Sequence, residues 1–142
     1  MIYDTRENLQ KYAALLPPLS EIEQALDDPT FLSPRIRRMQ SETVAKAYSG
    51  KMIAAEVASI LHVVSSGKEV VAAGYRSDAK RASLRAGGLR YLSDAPVHTV
   101  ITIAAGEFVL FMPGEPFVGA LPGSSDLWVS ETLLLFDESI QG

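Results

Sequence analysis

Gly106-Glu107-Phe108-Val109-Leu110-Phe111-Met112-Pro113-Gly114-Glu115-Pro116-Phe117 is the stretch on which the fold turns. Large apolar residues run from Phe108 to Met112 and stop at Pro113-Gly114. Proline presets φ there, and glycine tolerates the positive φ that closes a turn. The reading is a strand ending in a tight turn.

Working outward, the same texture recurs. Segments near 35–40, 43–49, 52–65, 69–74, 98–104, 107–112 and 127–136 are short and rich in Val, Ile, Leu, Phe or Tyr. Ser49-Gly50, Ser65-Ser66-Gly67, Gly87-Gly88, Pro113-Gly114 and Pro122-Gly123 punctuate them. Short strands without long helices between them pair antiparallel, so a mainly β chain folded as a barrel or sandwich is expected. Segment 75–97 stands apart, with Arg76, Lys80, Arg81, Arg85 and Arg90 making it basic. It reads either as a lid over an anionic ligand or as a solvated excursion between strands.

Two short helices are expected first. Asp4 with Glu7 suggests a capping box, and Leu9, Tyr12, Ala13 and Leu16 share a helical face up to Pro17-Pro18. Ser20 with Glu23 repeats the signal before Leu19, Ile22, Ala25 and Leu26, and Asp27-Asp28-Pro29 ends it.

At 142 residues the chain suits one domain, with a helical segment over 1–30 and a β-barrel over 35–137. A net charge of −4 argues against nucleic-acid and anionic-membrane partners, which need concentrated positive charge. Cysteine is absent, which excludes disulfides, thiolate metal sites and a thiol nucleophile. With neither a signal-like start nor an apolar run of about 18 residues, a cytoplasmic location is expected.

The chemistry-bearing candidates are few. His62, flanked by Leu61 and Val63, points into a barrel mouth or out to solvent, and would titrate usefully near neutrality. Glu56 is a pocket carboxylate or a solvent-facing acid, and alternation favours solvent. Tyr48, Phe117 and Trp128 form an aromatic wall suited to a sugar face, or pack the core. His98 reads as a strand-end surface residue. Neither a phosphate-binding glycine loop nor a nucleophile elbow is evident.

The Pro-Gly stretch resembles the second motif of cupins, in which a metal-binding His follows. More closely it resembles the YhcH/YjgK/YiaL family, whose members often read Phe-Met-Pro-Gly-Glu-Pro-His where this chain has Phe111 to Phe117. Met1-Ile2-Tyr3-Asp4-Thr5, Glu7-Asn8-Leu9, Tyr12 and the run His62 to Glu69 are similar to the same family. The resemblance implies a cupin-like antiparallel β-barrel or sandwich preceded by two short helices. It also implies a place in carbohydrate catabolism, since the family includes the small subunit of evolved β-galactosidase.

The departures concern the metal. The positions the resemblance assigns to metal ligands hold Ile53, Ala55, Ile60 and Phe117, and only His62 keeps a donor. Ser130, Glu131 and Leu135 stand where the family often has Lys. A metal centre needs at least three inward donors, so neither metal nor other cofactor is expected, and Phe117 should cap an apolar patch with Ile53, Ala55 and Ile60. The expected function is binding of a sugar or small polar ligand, with Tyr48, His62 and Phe117 as contacts. Alternatives are a metal-independent sugar anomerase or isomerase using His62 and Glu56, and an accessory subunit of a glycosidase such as a β-galactosidase. The apolar run from Leu127 to Phe136 lies in the core or pairs across a homodimer axis.

Overall fold

The computed structural model describes residues 1–79, 84–125 and 128–137, with the side chains of 79, 84–86 and 128 outside that description. Its strands are β1 (Ile2–Thr5), β2 (Arg37–Val44), β3 (Met52–Ala55), β4 (Ser59–Val64), β5 (Lys68–Ala73), β6 (Leu84–Ala86), β7 (Leu89–Leu92), β8 (Thr99–Ala104), β9 (Glu107–Phe111), β10 (Phe117–Leu121) and β11 (Trp128–Phe136). They form a five-stranded sheet, β1-β9-β4-β11-β2, facing a six-stranded sheet, β6-β7-β3-β10-β5-β8, with the pairings antiparallel. The mainly β architecture inferred from the short, turn-bounded strands is the one observed.

Alternation along the five-stranded sheet makes two cores. Ile60 and Val64 of β4, Val109 and Phe111 of β9, and Leu133 and Leu135 of β11 face the other sheet. Leu61, Phe108, Leu110, Leu134 and Phe136 face outward, where Leu9, Leu16, Ile22 and Ala25 of the N-terminal segment cover them. Each fully buried side chain of this size contributes about 1.5–3 kcal/mol relative to exposure, which explains why the helical segment adheres.

That segment differs locally from expectation. Residues Ile2–Thr5 form an edge strand on β9, a 3-10 helix follows over Arg6–Leu15, and α1 spans Leu19–Asp27. Neither helix has a side-chain N-cap bond, so the two capping boxes are not made. Asp4 instead accepts hydrogen bonds from Thr5 N–H at 2.7 Å, Asn8 Nδ2 at 2.8 Å and Tyr12 Oη at 2.5 Å, fastening the strand to the helix.

Two other parts of the chain differ from expectation. Segment 75–97 is not a plain excursion: it holds the short helix α2 (Arg76–Ala79) and the β6–β7 hairpin, which extends the six-stranded sheet. Lys80 and Arg81 lie outside the described residues. Strand β10 was hidden in the sequence by Pro116 and Gly119. Strand β11 takes the core alternative of its two readings, with β2 and β4 paired on its two sides; Leu127 lies outside the described residues. No helix among the described residues is long and apolar enough to cross a membrane.

Candidate functional site

The inward phase of three strands carries one ionisable residue each. His62 sits between Ile60 and Val64, Glu69 precedes Val71 and Ala73, and Glu131 precedes Leu133 and Leu135. β4 and β11 are neighbours, and Glu69 reaches across from the facing sheet. Three polar heads therefore meet inside an otherwise apolar sandwich.

His62 and Glu69 are fully buried, and His62 Nε2 lies 2.7 Å from Glu69 Oε1. Glu69 Oε2 accepts the backbone N–H of Ala120 at 2.8 Å. Glu131, 18% exposed, places Oε2 3.6 Å from His62 Nε2 and accepts from Ser41 Oγ through Oε1 at 3.1 Å. One donor atom from each of the three residues fits within 4.8 Å of the others, so the cluster can hold a cation.

Strand β10 is shaped around this cluster. Its register on β5 shifts between Val118 and Leu121, and Ala120 takes φ +54°, a left-handed value costly for a non-glycine residue. The shift turns the Ala120 N–H toward Glu69. At Gly119 a methyl group would lie 2.2 Å from Glu69 Oε2 and 2.7 Å from Glu131 Oε2, so only glycine lets the backbone come this close.

The two carboxyl groups respond oppositely. Burial pushes Glu131 up, the bond to Glu69 and its charge add to the rise, and the imidazole and Ser41 oppose it; the result is about 7. For Glu69 burial again raises the value, but hydrogen bonds from His62 and Glu131, the imidazole charge and the Ala120 N–H outweigh it, and it ends below the usual carboxylate range. Two buried carboxyl groups in contact cannot both ionise cheaply, so a proton held by Glu131 is the natural cation-free state.

Beside the cluster is a cavity of about 530 Å³, lined by Tyr48, Tyr91, Phe117, Gly119, Glu131 and Leu133 among others, with Lys46 and Lys51 also on its wall. Phe117 is buried, stacks on Phe111 at 4.1 Å and meets the His62 ring edge-on at 5.7 Å. Its ring joins Ala55 and Ile60 in one apolar cluster with Ile53 against it. Of the positions that the family resemblance assigns to metal, these four are thus packed apolar surface, and only His62 carries a donor.

Of the residues singled out in the sequence, Tyr48, His62 and Phe117 come to this region. Tyr48 lines the cavity and donates its hydroxyl proton to the Ala95 carbonyl. The donor count that rested on His62 alone did not include Glu69 and Glu131, which the fold brings beside it. Glu56 does not join it: that carboxylate sits in the turn after β3, 3.6 Å from Arg90 Nε. His98, just before β8, stacks on Tyr75 at 3.7 Å and lies 3.4 Å from Asp78 Oδ2. The side chain of Trp128 is outside the described part.

Taken together these features define a cupin-like β-sandwich with an interior polar cluster beside a cavity. Escherichia coli YcfD is similar in fold, with a TM-score of 0.51 and 14% identity over 94% of this chain and 32% of that one. Hydroquinone 1,2-dioxygenase from Sphingomonas sp. TTNP3, solved with 4-hydroxybenzoate, gives 0.47 at 13% identity over 75% and 62%. RmlC from Streptococcus suis, solved with dTDP-D-xylose, gives 0.45 at 16% identity over 81% and 53%. The chain spans about a third of YcfD, and at 14% identity that likeness is one of fold alone. No family profile matches the chain, and no curated protein sequence matches it.

Proposed function

We propose that this chain is a divergent YhcH/YjgK/YiaL-type domain that binds a small hydroxylated ligand of the carbohydrate class in the cavity beside Glu131. The cavity carries the reading. Its volume of about 530 Å³ falls within the roughly 300–1,000 Å³ usual for small-molecule sites. Tyr48 offers a ring face to C–H groups and the buried Phe117 contributes apolar wall, while Glu131 and the two lysines offer partners to hydroxyl or acidic groups. The carbohydrate class is supported by the sequence resemblance alone. An anomerase or isomerase built on His62 and Glu56 loses its basis, since Glu56 faces Arg90 instead.

Calorimetric titration with a panel of aldoses, ketoses and sugar acids tests the reading. Saturable one-to-one binding of at least one member is expected. Tyr48→Ala should weaken it about tenfold, the equivalent of a lost aromatic contact. A folded protein that binds none of the panel would remove the carbohydrate assignment.

A further inference from the structure

We propose that His62, Glu69 and Glu131 form a site for one divalent first-row transition cation, held by His62 Nε2 and one oxygen of each carboxylate, with its open position toward the cavity. This goes beyond the ligand reading and does not depend on it.

Charge is the first consideration. Two carboxylates and one imidazole enclosed in apolar packing leave an excess of negative charge, which must be met by a proton or a cation. The geometry points the same way: Glu131 Oε2 is buried, accepts no hydrogen bond and faces Nε2 at 3.6 Å. Around a four-coordinate ion with bonds of about 2.0–2.2 Å, neighbouring donors lie roughly 3.3–3.6 Å apart. The Nε2–Glu131 separation already has that value, and the 2.7 Å Nε2–Glu69 contact needs to open by less than about 1 Å. Glu69 is held for the task by the Ala120 N–H on its other oxygen.

The donor set selects the ion. One imidazole and two carboxylates without a thiolate suit zinc or manganese, and three protein ligands leave a position for water or a ligand hydroxyl. His62 is the one position this set shares with the metal ligands that the family resemblance implies; Glu69 and Glu131 are distinct from Ile53, Ala55, Ile60 and Phe117, which fill the other positions. When Nε2 binds the cation, the ring proton must sit on Nδ1, which has no hydrogen-bond partner. A missing outer-shell acceptor typically lowers affinity about 10–100-fold, so zinc should bind more weakly here than at a site where that acceptor is present.

The full chain, stripped with EDTA and dialysed, would be titrated with zinc chloride and, separately, manganese chloride at pH 7.5. One saturable site is expected, with zinc tighter than manganese. Glu131→Gln preserves shape and should weaken zinc by about 30-fold or more, whereas His98→Ala should leave it unchanged. Because the chain has two histidines, ring-proton NMR gives a readout in the unmutated protein: zinc should move one set of imidazole signals, the set that survives in His98→Ala. The absence of saturable binding for either cation, unchanged zinc affinity in folded Glu131→Gln, or movement of the His98 signals alone would overturn the proposal.

Discussion

Glu69 and Glu131 are the same side chain placed on facing sheets, and their surroundings separate them. Glu69 receives hydrogen bonds from His62 and the Ala120 N–H, so its charge is supported; Glu131, beside it, has mainly burial and a like charge. Glu131 is therefore held near 7 against an ordinary 4.5. The folded chain keeps a proton there that the unfolded chain has lost. Its stabilising contribution is full below about pH 4.5 and disappears as pH rises through 7. Glu69 works in the opposite direction, and its contribution is lost only as pH falls below its own depressed value. Thermal unfolding of EDTA-treated protein should thus give a higher Tm at pH 5.5 than at pH 8, and Glu131→Gln should flatten that slope. An unchanged slope in the variant would show that Glu131 does not hold the proton. The cluster itself was partly legible in the sequence. Each ionisable residue stands in step with inward apolar neighbours, as in Glu131-Thr132-Leu133-Leu134-Leu135. That phase marks a buried charge on each strand, but only the sheet order shows that residues 62, 69 and 131 meet.

Strand β10 shows why element boundaries were harder to read than element types. The Pro-Gly turn and β9 before it are written plainly in residues 106–114, and Gly114, at φ +85°, donates its N–H to the Ala55 carbonyl at 2.8 Å. Beyond the turn, Phe117-Val118-Gly119-Ala120-Leu121 has weak strand character, because glycine lacks a side chain to pack and Pro116 cannot donate to a ladder. It is a strand because β3 and β5 pair with it from either side. The hairpin β6–β7 was missed for a related reason, as its arginines mask its pairing with β3. The glycine that obscured β10 is the one the site requires. Gly119→Ala would drive a methyl group into both carboxylates, and steric overpacking of this kind costs about 1–3 kcal/mol. Guanidinium unfolding should record that loss, and zinc affinity should fall with it. Full stability and affinity in Gly119→Ala would mean that the backbone of β10 stands further from Glu69 and Glu131.

At the scale of the whole molecule, the five-stranded sheet separates two jobs by the parity of its residues. Odd and even positions on β4, β9 and β11 face different cores, so Leu61 packs beneath the N-terminal helices while His62 enters the polar cluster. A change in the outer layer should alter stability without reaching the site, provided the sheet stays formed. Ile22 is a suitable probe: it is fully buried, lies on α1, and packs in the cluster that contains Leu61, Phe108 and Leu134. Ile22→Ala removes three buried carbons and leaves a cavity that a short, nine-residue helix fills only in part, at a cost of about 2–5 kcal/mol. The free energy of unfolding from a guanidinium titration should drop by that amount. Zinc and ligand titrations at a temperature where the variant remains folded should match those of the unmodified chain, because Ile60, Val64, Phe111 and Phe117 keep their places on the inner face. Weakened binding in fully folded Ile22→Ala would show that the helical layer sets the sheet's curvature and, through it, the spacing of His62, Glu69 and Glu131.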